Sequence, residues 1–225
     1  MFVGHFAVGF IAKRSAPRLS LGTCVLAATL ADILWPIFMI AGLEQVQFKP
    51  GMGAANYFVA SNIALSHSLL MDCLWGALFV TTYILFQRNV RSALILFVTV
   101  VSHWFLDVIA HRPDMPLAPG AHRHFGLGLW ASIPATIIVE GGLWLLGIIS
   151  YVRITRAKNW NGVYGFWIAI VLFTLLWYQN IAGAPPANPR SAPISSLILF
   201  CLVVTWAYWM NSVRVLTRQS LGAKT

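Results

Sequence analysis

The stretch SHWFLDVIAHRPDMPL concentrates side chains that can bind metals or transfer protons. His103 and Asp107 are four residues apart, so on a helix they would project from the same face. Pro113 disfavours helical backbone at the residue before it, so His111 and Asp114 would straddle the end of that helix. The whole chain has only six acidic residues and six histidines, so this clustering in one segment calls for an explanation.

Four more ionisable residues lie in or beside apolar segments, where a charged side chain is expensive. On insertion scales each costs about 2.5–3.5 kcal/mol at the centre of a bilayer, so such residues usually have a function. Asp32 lies in AATLADILWP, His67 in ALSHSLLMD and Glu140 in IIVEGGLW. His5 precedes Lys13 by eight residues, so a half-helix inserted from Lys13 would carry His5 about 12 Å into the membrane.

The other polar residues around His67 are less informative. Asp72 follows His67 by five residues, so on a helix it points roughly 140° away and can instead meet Ser68, one turn earlier. We therefore leave Asp72 outside the first-choice site. Ser66 and Ser68 flank His67 without the GxSxG context of a serine nucleophile, and we expect them to orient His67 or to bond helix carbonyls.

The elements that must position these residues are membrane helices, as the composition indicates. The chain of 225 residues is 59% hydrophobic and 9% charged, against about 25% charged in an ordinary soluble domain. Most of it divides into apolar runs of the roughly 20 residues that cross a bilayer as a helix. We predict an all-α integral membrane protein with six spanning helices, at about 20–43, 63–87, 92–111, 128–152, 163–182 and 194–212.

The basic residues are distributed unequally between the two ends of these helices. Eleven of the fifteen lie on one side: Lys13, Arg14, Arg18, Arg88, Arg91, Arg153, Arg156, Lys158, Arg214, Arg218 and Lys224. Four lie on the other: Lys49, Arg112, Arg123 and Arg190. The positive-inside rule places the richer side and the C-terminus in the cytoplasm. The net charge of +9 is thus a signal of topology, and we expect no nucleic-acid partner.

We predict one polytopic domain over residues 1–225, because the sequence has no repeat and no second compositional unit. Within it, residues 1–117 carry the His/Asp site and residues 128–225 are mainly helical scaffold. The apolar run 1–12 is too short to span, so it either lies at the cytoplasmic interface or enters the membrane as a half-helix. The outer segment 44–62 could form a turn or lid, and the proline-rich RPDMPLAPGAHRH is not expected to be helical.

The polar residues share one depth band, from the midplane to the outer surface, although the helices were assigned from apolar runs and loop charge alone. Imidazoles and carboxylates together bind divalent transition metals such as zinc or manganese. Such an ion would also offset the cost of burying carboxylates beside histidines. We predict ligands or ligand-orienting groups at His5, Asp32, His67, His103 and Asp107, with His111, Asp114 and Glu140 as candidates for general acid or base catalysis.

The same residues resemble a known family. An N-terminal GH, an Asp in a small-residue helix ending near Pro, a later HS and then HWFLD are similar to the YdjM-like family of bacterial inner-membrane proteins. That family is named for membrane-bound metal-dependent hydrolases, so the resemblance, which covers roughly residues 1–117, implies metal binding and hydrolysis. Its polar positions correspond to the five predicted ligands. Where many members carry Pro-Asp-x-Asp, this chain has LADILWP with a single Asp, a departure compatible with one metal ion instead of two.

We expect the metal to promote hydrolysis of a phosphoester or related bond in a lipid-like substrate near the outer leaflet, with membrane lipids as partners. Three alternatives stay open. A proton- or ion-coupled transporter could use the same His/Asp cluster, although the cytoplasmic halves of the helices lack a continuing polar route. An electron carrier that binds haem or quinone would use facing histidines on two helices as axial ligands. A structural protein would use the cluster only to hold helices together.

Overall fold

The computed structural model describes residues 1–48, 55, 58–182 and 191–217, most of which are helical. The α-helices of this part of the chain are α1 (Val3–Ser15), α2 (Leu21–Ala28), α3 (Leu30–Ile40), α4 (Leu69–Gln87), α5 (Val90–Ala110), α6 (Ile133–Ile154), α7 (Trp160–Ala182) and α8 (Ala192–Val213). A short 3-10 helix, Leu129–Ala131, precedes α6. The antiparallel strand pairs are β1 (Gln45–Phe48) with β2 (Phe58–Asn62), β3 (Met115–Pro116) with β4 (His124–Phe125), and β5 (Thr155–Ala157) with β6 (Arg214–Leu216).

The helices α4 to α8 are each long and apolar enough to cross a membrane. Together α2 and α3 can provide one further crossing, bent by 56° at the break between them. Large apolar side chains are exposed on these helices, among them Leu78 (59%) and Leu85 (73%), as surfaces facing lipid require. The prediction of an all-α membrane protein with about six crossings is therefore confirmed.

The first predicted span, 20–43, is not one continuous helix. It breaks at Thr29, whose backbone has φ −110° and ψ 16°, and it ends at Ile40. Thr29 is fully buried, and its hydroxyl donates to the carbonyl of Val25 at 2.8 Å, a type of bond that bends helices. The prediction of an unbroken span rests on apolar composition, which continues across the break. That prediction is wrong here.

The second predicted span, 63–87, begins later than expected, because α4 starts only after the cap residue Ser68. The preceding residues form a turn that is held from outside the helix. The carboxylate of Glu44 accepts hydrogen bonds from the backbone N–H groups of Leu65 (2.8 Å) and Ser66 (2.7 Å). Glu44 thus satisfies backbone donors that a longer helix would have satisfied internally.

Helix α1 is buried among the spanning helices, which decides between the two positions predicted for residues 1–12. It packs against α6, α2 and α5, and the side chains of Val3 and Phe6 are at most 1% exposed. Small residues allow the close approach: a Cβ added to Gly147 of α6 would lie 2.6 Å from the Cα of Ala7. The N-terminal segment is therefore a half-helix inserted into the bundle.

The connections contain short hairpins. Segment 44–62, predicted as a turn or lid, contains the β1–β2 pair, and the proline-rich loop predicted to be non-helical contains the β3–β4 pair. On the basic side, Arg214 donates to the carbonyl of Gly162 at 3.0 Å and lies over the ring of Phe166 at 4.8 Å, joining α8 to α7. Some basic residues used to predict the orientation lie outside the described residues: Lys49, Arg190, Arg218 and Lys224.

Candidate metal centre

His103 of α5 is held with one ring nitrogen, Nε2, turned toward the carboxylates of Asp32 and Asp107. Its Nδ1 lies 2.9 Å from the backbone carbonyl of Ala28, at the break between α2 and α3. A carbonyl oxygen can only accept, so Nδ1 carries the proton and Nε2 keeps its lone pair in the neutral ring. In a continuous helix the carbonyl of Ala28 would accept from the N–H of Asp32, four residues on. The break in the first span thus supplies the acceptor that orients His103.

His67 is oriented by a chain of two hydrogen bonds. Its Nδ1 lies 2.7 Å from Ser66 Oγ, which lies 2.7 Å from Glu44 Oε2. An ionised carboxylate can only accept, so the Ser66 hydroxyl donates to Glu44 and accepts from His67 Nδ1. His67 Nε2 therefore also keeps its lone pair. Since Glu44 is 2% exposed and also accepts from two backbone N–H groups, the chain is firmly anchored.

Both Nε2 atoms lie close to two carboxylates. His103 Nε2 is 3.3 Å from Asp107 Oδ2 and 3.9 Å from Asp32 Oδ1. His67 Nε2 is 3.8 Å from Asp107 Oδ2 and 3.9 Å from Asp32 Oδ1. Asp32, His67 and His103 each contribute one ligand atom to a group whose atoms all lie within 4.8 Å of one another. Four side chains, from α3, from α5 and from the turn that precedes α4, thus converge on one point.

His5 and Asp107 form a second such group with His103. The rings of His5 and His103 are stacked, with centroids 3.7 Å apart, and His5 Nε2 lies 3.1 Å from Asp107 Oδ1. The amino group of Met1 contacts His5 Nε2 at 3.0 Å and forms an ion pair with Asp107 Oδ1. In this second group the amino group supplies positive charge, whereas among the described residues only histidines lie within ion-pair distance of Asp32.

The donor atoms fit a divalent metal ion. Among the described residues, His103 Nε2 and Asp32 Oδ2 are buried and make no hydrogen bond, which costs about 1–3 kcal/mol for each group without a compensating partner. Two ligands at zinc distances of ~2.0–2.2 Å in a tetrahedral site are about 3.4 Å apart, close to the separations of 3.3–3.9 Å found here. Imidazole nitrogen and carboxylate oxygen are ligands of zinc and of manganese.

His111 and Asp114 lie outside both groups of potential metal ligands. His111 follows the last residue of α5, and its Nδ1 lies 3.0 Å from Asp114 Oδ1. Its ring packs against Trp130, with centroids 4.6 Å apart. Both residues thus lie just beyond the last residue of α5, where the sequence analysis expected them on either side of the helix end, and they form a hydrogen-bonded acid–imidazole pair.

Glu140 contacts the half-helix α1 and lies outside the potential metal ligands as well. It is fully buried, and its Oε1 accepts from the backbone N–H groups of Phe2 (2.5 Å) and Gly4 (3.2 Å). These donors have no partner within a helix, and a negative charge is favourable at a helix N-terminus. Glu140 therefore holds in place the helix that carries His5.

Two acidic residues near the site were missed or set aside by the sequence analysis. Glu44 was not considered, because nothing in the sequence indicates that it bonds Ser66, 22 residues later, and orients His67 through that serine. Asp72 was set aside, yet it is 1% exposed, and it meets Ser68 only through its backbone N–H, which donates to the Ser68 carbonyl at 2.8 Å, while neither carboxylate oxygen has a hydrogen-bond partner among the described residues. The available signal was that both are among only six acids in a hydrophobic chain.

The fold and the cluster define a polytopic membrane protein whose buried histidines and aspartates could hold a metal ion. The sequence model of the YdjM inner membrane protein family matches residues 1–183, and the chain belongs to that family. The match extends beyond the segment that carries the motifs and includes α6 and α7. No curated protein and no solved structure matches the chain.

Proposed function

We propose that this protein is a metal-dependent hydrolase that acts on a phosphoester or related bond of a lipid-like substrate. The observation that supports this most directly is the direction of the hydrogen bonds at the two histidines. The Nδ1 atoms of His103 and His67 each face an acceptor, so their Nε2 lone pairs point at carboxylates. Lone pairs and carboxylates repel one another in a buried site, and a cation between them reverses the sign of that interaction.

In this proposal Asp32, His67 and His103 hold the ion, with zinc or manganese the expected metals. Asp107 and His5 lie beside it and complete the ligand set or orient it. A divalent ion supplies a Lewis acid and an activated water nucleophile near neutral pH. The sequence predicted these same five residues as ligands, and their convergence from four different elements supports that prediction.

The residues around the ligands would handle protons and hold the geometry. The His111–Asp114 pair is suited to take up or deliver a proton, because the carboxylate accepts from one ring nitrogen and stabilises the charged ring. The Oε1 atom of Glu140 accepts hydrogen bonds at the N-terminus of α1, and its Oε2 atom makes no hydrogen bond with a described residue. Glu140 is the second candidate for an acid or base.

A lipid-like substrate suits the position of the cluster among membrane helices. The family is one of inner-membrane proteins, and the described residues include five or six helices able to cross a membrane. We further propose that the C-terminus is cytoplasmic, because the basic residues are concentrated on that side. A C-terminal reporter that is active only in the cytoplasm tests this orientation; activity of the matching periplasmic reporter would contradict it.

The experiment for the hydrolase proposal is a turnover assay on purified protein loaded with zinc or manganese. Substrates are phosphatidic acid and phosphatidylglycerol in mixed micelles, with released phosphate and water-soluble products measured. We expect turnover by the wild type and by His122→Ala, which alters an exposed loop histidine, and none by His103→Ala. Metal-loaded wild type that releases no product from either lipid, or His103→Ala with full activity, would contradict the proposal.

A proton- or ion-coupled transporter is the second candidate, and Asp72 is the observation that favours it. This buried carboxylate lies in a spanning helix without a hydrogen-bond partner among the described residues, and no assigned ligand role uses it. Intramembrane carboxylates of this kind serve proton and ion paths. The transporter predicts ion flux in liposomes that Asp72→Asn abolishes, with no turnover of lipid phosphoesters.

A further inference from the structure

A groove of about 650 Å³ runs along the outside of the bundle between α4 and the bent pair α2–α3. One wall is a stripe on α4 formed by Trp75, Phe79, Tyr83 and Phe86, which are spaced at three or four residues and so share one helix face. The opposite wall includes Leu30 of α3. The groove is therefore lined mainly by aromatic and aliphatic side chains.

The groove exists because its two walls pack against different neighbours. Helix α3 packs mainly against α8, and α4 packs mainly against α5, so α3 and α4 make few contacts and leave a space between them. They approach at the outer end, where the rings of Phe38 and Trp75 are 6.0 Å apart. Leu78 and Phe86 on the groove are 59% and 79% exposed, so the groove opens sideways toward the hydrocarbon of the bilayer.

The hydroxyl of Thr82, on the α4 wall between Trp75 and Gln87, donates to the backbone carbonyl of Leu78, and the charged guanidinium of Arg18 lies at one end of the groove. That end is formed by Arg18, Ser20 and Gln87, while the far end is closed by Trp75. Trp75 and Gln87 are twelve positions apart on α4, a length of about 18 Å. A slot of this length that is lined mainly by apolar side chains and is charged at one end matches a single acyl chain with its headgroup.

The polar end carries positive charge without nearby acids. Arg18 is exposed and makes no ion pair with a described residue, and Arg88 directly follows Gln87. All six acidic residues of the chain lie elsewhere, at positions 32, 44, 72, 107, 114 and 140. The headgroup that this end would recognise is therefore anionic.

We infer that the groove binds one anionic phospholipid from the leaflet on the basic side of the protein. Its phosphate lies at Arg18, and one acyl chain follows the aromatic face of α4 as far as Trp75. This site is separate from the His/Asp cluster, so it stands whether or not the protein is a hydrolase. It is also more specific than general contact with lipid, because it requires both the cation and the open slot.

The test is native mass spectrometry of the full chain purified in detergent, titrated with phosphatidylglycerol and with phosphatidylcholine of the same acyl chains. We expect one phosphatidylglycerol to be retained in preference to phosphatidylcholine. Arg18→Gln should reduce that preference about fivefold, the contribution of one basic residue near an anionic headgroup. Arg156→Gln, which removes an exposed arginine on the same side but away from the groove, should leave it unchanged.

A second variant tests the slot independently of the charge. Thr82 lines the groove on the exposed surface of α4, so Thr82→Trp would place an indole in the path of the acyl chain and should abolish retention of the lipid. Arg18→Lys should preserve the preference. Equal retention of the two lipids by wild type, retention unchanged in Arg18→Gln and Thr82→Trp, or a dimer in which a second chain excludes lipid would each overturn the inference.

Discussion

Replacing Ser66 by Ala should weaken metal binding while leaving the helices intact. Ser66 is the only link between His67 Nδ1 and Glu44 Oε2 among the described residues, through two hydrogen bonds of 2.7 Å. Without it His67 loses the acceptor that fixes its proton on Nδ1, so its ring can rotate or change tautomer. Loss of such a partner behind a metal ligand typically costs 10–100-fold in affinity, or about 1.4–2.7 kcal/mol.

Ser68 on the other side of His67 provides a matched control. Its hydroxyl accepts from the N–H of Met71 at 3.4 Å and caps α4, so it faces the helix backbone and makes no hydrogen bond to His67. Ser68→Ala should therefore lower stability by about 0.5–2 kcal/mol without changing metal affinity. Glu44 keeps its two backbone donors in Ser66→Ala, so that variant should remain folded.

The assay is competition between the purified protein and a chromophoric chelator for zinc, with the helical content and melting temperature of each variant measured in parallel. We expect Ser66→Ala to bind at least tenfold more weakly than wild type and Ser68→Ala to match wild type. Equal affinity for Ser66→Ala and wild type would refute the view that Glu44 and Ser66 position His67. An equal loss in both serine variants would show that the effect comes from the fold of this turn.

Three further changes test how the scaffold is held, each read as a melting temperature in detergent. Glu140→Ala should destabilise by about 1–3 kcal/mol because it leaves N–H groups of α1 unpaired, and Glu140→Gln, which keeps an acceptor, should lose less. Gly147→Ala should destabilise because its Cβ would lie 2.6 Å from Ala7, whereas Gly142→Ala meets nothing within 4 Å. Arg214→Lys should destabilise because lysine cannot reproduce the bonds to α7 and to the β5 strand.

The sequence was sufficient to predict the class of fold and the proximity of the candidate ligands for a clear physical reason. Helices that cross a membrane must be apolar over about 20 residues, so each span is visible locally. An ionisable residue inside a span is costly and therefore stands out. Matching the depths of Asp32, His67 and His103 then predicted that they lie near one another, and they do.

The features that the sequence did not predict depend on contacts between distant residues. No proline or glycine lies within six residues of the break at Thr29, and the break is coupled to a bond between Ala28 and His103, 75 residues away. Glu44 holds the turn before α4 through contacts 21 and 22 residues away. The position of α1 depends on its packing against Gly147, which local hydrophobicity cannot indicate.

The most direct test of the account is the metal content of the purified protein, measured by inductively coupled plasma mass spectrometry after reconstitution with zinc or manganese and removal of excess ion. We expect one tightly held ion per chain in wild type and in His122→Ala, and its loss from folded His103→Ala. Wild type that retains no metal, or His103→Ala that retains as much as wild type, would contradict the assignment of the His/Asp cluster as a metal centre.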